Sequence, residues 1–238
     1  MKLLSLNIQH GGGNRDAEIL RIVEEQSPNI LVLTEYRRNA TGARLVSQLR
    51  ERGFEHHVDS KPEGNANAVL IVSRSPIEKL AMPLALSQAH EQRVVIARTE
   101  GLDVCGVYFP GKRVKELFWR DEFLPLAASL QERRCLLVGD FNTGKHLIDE
   151  AGKTFYGAEY LGVLENAGWT DAWRFLHPDE RDFTWYSTAG NGFRIDHCWL
   201  SPVLKSELQD AWHLHEARTR GATDHSGLVV SLIGSSSL

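Results

Sequence analysis

The 238-residue sequence predicts one continuous α/β domain over residues 1–238. Three observations carry this. Short apolar runs of strand length recur along the whole chain. Amphipathic helical segments fall between them, mainly in the first two thirds. No Pro/Ser-rich linker, low-complexity block or internal repeat divides the chain. At 42% hydrophobic and 24% charged residues the composition is that of a globular protein, which excludes disorder, collagen and a disulfide scaffold. A chain this long buries a core without cross-links.

The elements follow in order. Lys2 to Ile8 is rich in Leu and Ile and reads as a strand, ended by Gly11–Gly13. Asn14 or Asp16 caps a helix through about Gln26, with Ile19, Leu20, Ile22 and Val23 on one side, and Pro28 stops it. "NILVLTE" is a buried strand ending in Glu35, and a helix from about Ala43 to Arg52 ends at Gly53. "AVLIVSR", "QRVVIARTE" and "LDVCGVYFP" are strands, the last closed by Pro110. The helical stretch from Val114 to Arg133 contains Pro125, which should kink or split it. "CLLVGDFN" is a short buried strand, and Tyr156 to Ala167 is helical. "FTWYS", "RIDHCWLS", "SELQDAWHLH" and "GLVVSLI" complete the strands, and residues 234–238 form a frayed tail.

Net charge −4 and a pI near 6.2 exclude a protein coated by nucleic acid over its whole surface. Any nucleic-acid contact must come from a local basic patch. Cys105, Cys135 and Cys198 are odd in number, form no CxxC and lie in apolar runs, so they read as buried hydrophobes in a reducing compartment. No apolar run reaches membrane-spanning length, and Asn7, Gln9 and His10 arrive too early for a signal peptide. The expectation is a cytoplasmic protein without membrane contact. Nothing marks an oligomer interface, so a monomer is expected.

The chemistry lies at the strand ends. Asn7, Glu35, Tyr108, Asp140 with Asn142, Asp196, and Asp224 with His225 each end or precede an apolar strand. Glu35, Asp224, Asn7 and Asn142 are hard oxygen donors that suit Mg²⁺ or Mn²⁺ and not Zn²⁺. Asp140 and Asn142 are spaced to point the same way, one to orient water, the other to hold a metal or an anionic oxygen. A charged His225 can donate to a phosphoryl oxygen, its pKa raised if Asp196 pairs with it.

In order, "SLNI", "LTE", "VYFP", "GDFN", "RIDH" and "TDHSG" resemble the endonuclease/exonuclease/phosphatase superfamily, and within it the exonuclease III and abasic (AP) endonuclease branch. Each piece alone is common; six in this order, each at a strand end, are specific. The resemblance implies a four-layer α/β sandwich, with two packed, mostly antiparallel sheets flanked by helices. It implies Glu35 as main metal ligand with Asn7 and Asp224 nearby, and Asp140 and Asn142 contributing to the metal side. It implies that Asp140 activates water, that Asn142 and Asn7 hold phosphate and metal, and that His225 with Asp196 stabilises phosphoryl charge. Tyr108 would contact the scissile phosphate. Trp185, Phe193 and Ile195 match the aromatic and aliphatic wall of an abasic-sugar pocket. The implied activity is Mg²⁺- or Mn²⁺-dependent phosphodiester hydrolysis, with DNA as partner. Gln9 departs from the branch's usual Asp, Thr34 from its Gln, and Gly111 from a polar residue.

Plainer readings compete. "GDFNTGKH" approaches a P-loop, but His146 stands at the Ser/Thr position and Asp140 would face the phosphates. Asp196 could pair with Arg194 on its own strand. Trp185 and Phe193 could be core. His10, His56, His57, His213 and His215 read as surface or structural. Three basic clusters adjoin site segments: Arg37-Arg38, Lys112-Arg113-Lys115 and Arg218-Arg220. They suggest a phosphate-tracking rim, with Lys112, Arg113 and Arg218 as binding candidates. Arg133-Arg134 reads as a pair facing a helix C-terminus.

Overall fold

A computed structural model describes residues 1–233; the predicted frayed tail, residues 234–238, lies outside the described residues. The first half contains β1 (Lys2–Asn7), α1 (Asp16–Gln26), β2 (Ile30–Tyr36), α2 (Ala40–Glu51), β3 (His56–Asp59), β4 (Ala68–Ser73), β5 (Glu78–Lys79), β6 (Val94–Thr99) and β7 (Leu102–Tyr108). The second half contains α3 (Val114–Leu117), α4 (Leu124–Leu130), β8 (Cys135–Asp140), α5 (Glu159–Asn166), β9 (Thr170–Asp171), α6 (Ala172–Leu176), β10 (Trp185–Tyr186), β11 (Gly192–Phe193), β12 (Asp196–Leu200), β13 (Leu208–Leu214), α7 (Glu216–Thr219) and β14 (Gly227–Leu232).

Two six-stranded sheets have orders β13-β14-β1-β2-β4-β3 and β5-β6-β7-β8-β12-β9. Each is antiparallel except for one central parallel pair, β1 with β2 and β7 with β8. That arrangement fixes the site. The central strands deliver their C-termini to one edge, and their antiparallel neighbours β12 and β14 begin there.

Strand alternation sorts the core into layers. Leu3, Ile30, Val32, Val69 and Ile71 of one sheet pack against Val95, Val104, Leu136, Val138 and Cys198 of the other. The opposite faces are covered by helices. Leu4, Leu31, Leu33 and Leu70 meet Ile19, Ile22 and Val23 of α1 and Leu45 and Leu49 of α2. Val94, Ile96, Val107 and Leu137 meet Phe118, Trp119, Phe123, Leu126 and Leu161. The result is the expected four-layer sandwich. The sheets approach closely at Gly106, where an added Cβ would lie 2.7 Å from Val69 Cγ1.

Five local expectations are corrected. Pro125 does not split its helix. Phe118–Phe123 winds as a π-helix, and the Leu124 N–H reaches back to the Trp119 carbonyl. The wider turns absorb the residue that lacks a donor. The helix ends at Leu130, short of Arg133. Arg133 pairs with Asp103 and Arg134 with Glu207, so neither serves as a dipole partner. Arg15, not Asn14 or Asp16, holds the N-cap of α1, without a side-chain bond. The second helix starts earlier than expected because Asn39 caps it, accepting from Gly42 N–H.

Candidate active site

Glu35 reaches the site through a backbone irregularity. By strict alternation it would follow Leu31 and Leu33 onto the helix-covered face. Instead the β2–β4 register shifts between Thr34 and Tyr36, and Glu35 takes φ +57°. Tyr36 then packs in the helix-side core. This bulge frees the Glu35 carboxylate to face the other sheet. Its Oε1 accepts from Asn7 Nδ2 at 3.2 Å and from the Tyr108 hydroxyl at 3.3 Å. Its Oε2 accepts from Asn67 Nδ2 at 2.9 Å and from His10 N–H at 2.8 Å.

Asn7 joins the sheets. At the buried end of β1, its Nδ2 also donates to Asp140 Oδ2 at 3.0 Å. Asp140 ends β8, one residue after Gly139, whose φ is +144° and whose added Cβ would lie 2.0 Å from the Val107 carbonyl oxygen. Only glycine fits that backbone, so the "GD" pair is a steric requirement as well as a chemical one. Asn142, at φ +52°, folds back so that its N–H donates to Asp140 Oδ1 at 2.8 Å and its Nδ2 to the Phe109 carbonyl at 2.9 Å.

Asp196 opens β12 directly opposite Asp140. Its Oδ2 lies 2.9 Å from His225 Nδ1, and both residues are buried. The rival pairing of Asp196 with Arg194 is not formed. Arg194 binds Asp149 and Asp171 instead.

The electrostatics follow from this crowding. Burial, then the Asp196 charge, pushes the Asp140 carboxyl upward; His225, Asn142 N–H and Asn7 act against that shift. Burial opposes a charged His225, but the Asp196 charge and hydrogen bond, with Asp140 and Asp224, lift it to about 9. Burial and the charges of Glu35 and Asp140 push Tyr108 up to about 12, so its phenol keeps a proton to donate.

The other expected residues sort as follows. Asp224 lies beside the dyad, with Oδ2 accepting from Trp185 Nε1 at 3.2 Å. Trp185 bridges His225 through the backbone, and its ring is 5.8 Å from that of Phe193. Both are half-buried and Ile195 is buried. Lys112 and Arg113 are exposed; Arg218 is half-buried. Lys115 is not a rim charge. It is buried, and its ammonium donates to the Asn142 carbonyl. Burial lowers its pKa to about 8, with Asp140 working the other way. His10 is exposed, as expected, and its Nδ1 also lies 3.1 Å from Glu35 Oε2.

Sequence reasoning passed over Asn67 and Arg93. Asn67 precedes β4 opposite the Glu35 bulge, a signal readable only once β2 and β4 are paired. Arg93 stacks its guanidinium 5.2 Å from the Tyr108 ring and donates to the Tyr108 carbonyl at 3.3 Å. In the sequence it falls inside the predicted strand "QRVVIARTE", whereas β6 begins one residue later at Val94, and it had no visible partner.

Residues 4–225 match the Endonuclease/Exonuclease/phosphatase family. The chain belongs to this family. Among solved structures it is similar to a 3′ phosphatase from Neisseria bound to a product DNA hairpin, at 23% identity and TM-score 0.85, covering 98% of this chain and 100% of that one. A 3′–5′ exonuclease from Neisseria meningitidis is 24% identical, with TM-score 0.84 and coverage of 98% and 100%. An AP endonuclease from Archaeoglobus fulgidus is 22% identical, with TM-score 0.81 and coverage of 98% and 99%. At these identities the likenesses establish a shared fold.

A divalent cation fits the donor set. The groups that converge are the carboxylates of Glu35 and Asp140, bridged by the Asn7 amide nitrogen, and Asp140 is held back from ionising by burial and then by the Asp196 charge. Asp140, Asp196 and His225 also bring ligand atoms within 4.8 Å of one another, but His225 Nδ1 is committed to Asp196. Glu35 and Asp140 are the carboxylates on the other side that could hold a hard cation. Among the described residues, no helix is long and apolar enough to cross a membrane.

Proposed function

We propose that the protein is a Mg²⁺- or Mn²⁺-dependent phosphodiester hydrolase of DNA, acting as an AP endonuclease or 3′-repair diesterase/exonuclease and leaving a 3′-hydroxyl. The observation that carries it is the bridge from Glu35 through Asn7 to Asp140, set beside the Asp196–His225 pair. Glu35 would hold the cation with Asn7 and Asp140, with Asp224 and Asn142 flanking. When bound, the cation supplies Lewis-acid polarisation of a phosphoryl oxygen.

The chain's own groups supply the rest. Asp140, fixed by Asn7 and by Asn142 N–H, orients the attacking water and takes its proton. His225 carries positive charge at neutral pH, and its Nε2 donates to the phosphoryl oxygen where charge develops. Asp196 holds the imidazole ring in place through Nδ1. Tyr108, braced by Arg93, donates a second hydrogen bond to the phosphate. Trp185 and Phe193 would wall the abasic sugar, with Ile195 behind them. Three free, buried thiols suit a reducing, cytoplasmic setting for a monomer.

The test is cleavage of a duplex carrying one abasic-site analogue, an undamaged duplex and bis-p-nitrophenyl phosphate, each with Mg²⁺ or EDTA. Metal-dependent cutting at the lesion or from the 3′ end supports the reading. If the small diester alone is hydrolysed, the site chemistry stands, the DNA substrate falls, and a small molecule, lipid headgroup or RNA takes its place.

A further inference from the structure

Most surface arginines of this chain are neutralised. Arg44 pairs with Asp16, Arg52 with Glu24, Arg120 with Asp121 and Arg220 with Glu25. Arg113 and Arg218 have no carboxylate partner among the described residues. Each lies over a tyrosine ring instead, Arg113 5.5 Å from Tyr156 and Arg218 4.4 Å from Tyr186. Both tyrosines are 40% exposed, unusual for large aromatics in a chain that buries most of its core rings.

The two pairs attach to different sides of the site. Thr143, next to Asn142, donates to the Tyr156 carbonyl at 3.0 Å, and Lys115, two residues from Arg113, holds the Asn142 carbonyl. Tyr186 adjoins Trp185, which bridges His225 and donates to Asp224. One Arg–Tyr pair therefore belongs to the Asn142 side and the other to the His225 side of the reacting centre.

Resting on the nuclease reading above, we propose that these pairs form a two-sided nucleotide clamp. Each tyrosine stacks one base, and its arginine binds that nucleotide's phosphate. Stacking on the ring orients the guanidinium while its terminal Nη–H groups donate to the phosphate. Base–aromatic stacking tolerates any sequence. The substrate so defined is a nucleic-acid strand with a nucleotide on both sides of the scissile phosphate. A small diester reaches neither platform. Val114 and Leu117, each 55% exposed and one helical turn apart beside Arg113, extend the apolar surface on the Asn142 side.

The test compares wild type with Tyr156→Ala, Tyr186→Ala and the corresponding Phe variants. Readouts are Kd for a fluorescein-labelled 12-mer by anisotropy and kcat/KM for that 12-mer relative to bis-p-nitrophenyl phosphate. The clamp predicts that each Ala variant weakens binding about tenfold and lowers the ratio by a similar factor. Each Phe variant, which keeps the ring, restores both. Ala variants whose Kd and ratio stay within twofold of wild type overturn the clamp while leaving the nuclease reading intact. A wild type that hydrolyses the diester but neither binds nor cuts the 12-mer overturns both. Unfolding midpoints of the Ala and Phe variants check that each keeps the wild-type fold.

Discussion

Arg194→Met is predicted to be strongly destabilising, in a pH-dependent way. Arg194 is fully buried. Its Nε and Nη2 donate to Asp149 at 2.8 and 3.0 Å, and its Nη1 and Nη2 to Asp171 at 3.2 and 2.7 Å. Methionine of similar length leaves Asp149 with Arg174 and the Lys145 N–H, and Asp171 with His197 and the Arg174 N–H. Removing one partner of a buried ion pair costs roughly 3–5 kcal/mol. At a urea dependence of roughly 2–3 kcal/mol per molar, the unfolding midpoint should fall by about 1.5 M at pH 7. The sign of the pH dependence follows from the carboxylates. Burial pushes Asp171 up, but Arg194 and His197 hold it well below its usual 3.8. Asp149 is lowered in the same way, against burial, chiefly by Arg194. A depressed carboxylate contributes stability that is present above pH 3.8 and lost as pH falls through its lower folded value. The variant loses the Arg194 share of that depression, so the deficit is full at pH 7 and shrinks as pH falls below about 4 toward the lower wild-type folded values. Urea melts at pH 7, 5 and 3.5 measure it. A loss below about 1 kcal/mol at pH 7, or a deficit that does not shrink in acid, refutes the reasoning.

Two further substitutions probe the site's construction. Gly139→Ala drives a Cβ to 2.0 Å from the Val107 carbonyl oxygen, so it should lower the thermal midpoint by roughly 10 °C and disable the enzyme by shifting Asp140; a wild-type midpoint contradicts it. Glu35→Gln removes a charge from the proposed cation side, so calorimetric titration should show Mg²⁺ or Mn²⁺ affinity falling at least about tenfold, and an unchanged Kd would move the cation to the Asp140–Asp196–His225 side.

The strand ends were the legible part of this sequence. Asn7, Asp140 and Asp196 follow or open apolar strands, and a parallel pair flanked by antiparallel neighbours brings such ends to one edge. The bulge at Glu35 was not legible, because "NILVLTE" reads as one continuous apolar strand and the register shift belongs to pairing with β4. Asn67 was lost for the same reason. Partner choice was also hidden. Arg194 and Asp196 are close in sequence, yet Arg194 turns to Asp149 and Asp171 while Asp196 faces His225. Lys115 sits in a basic run that resembles a solvated face, and only the packing of its helix over Asn142 reveals it as buried. Strands β3, β5 and β9 are short and polar, so no apolar run announced them.

The central claim is that the Asp140 centre hydrolyses a phosphodiester with a divalent cation. It is tested most directly by single-turnover cleavage of the abasic duplex by wild type and Asp140→Asn, in Mg²⁺ and in EDTA. The account predicts cleavage by wild type in Mg²⁺ alone, and a loss of roughly 10³-fold in a folded Asp140→Asn protein. Cleavage that survives EDTA, or an Asp140→Asn enzyme as fast as wild type, would contradict it.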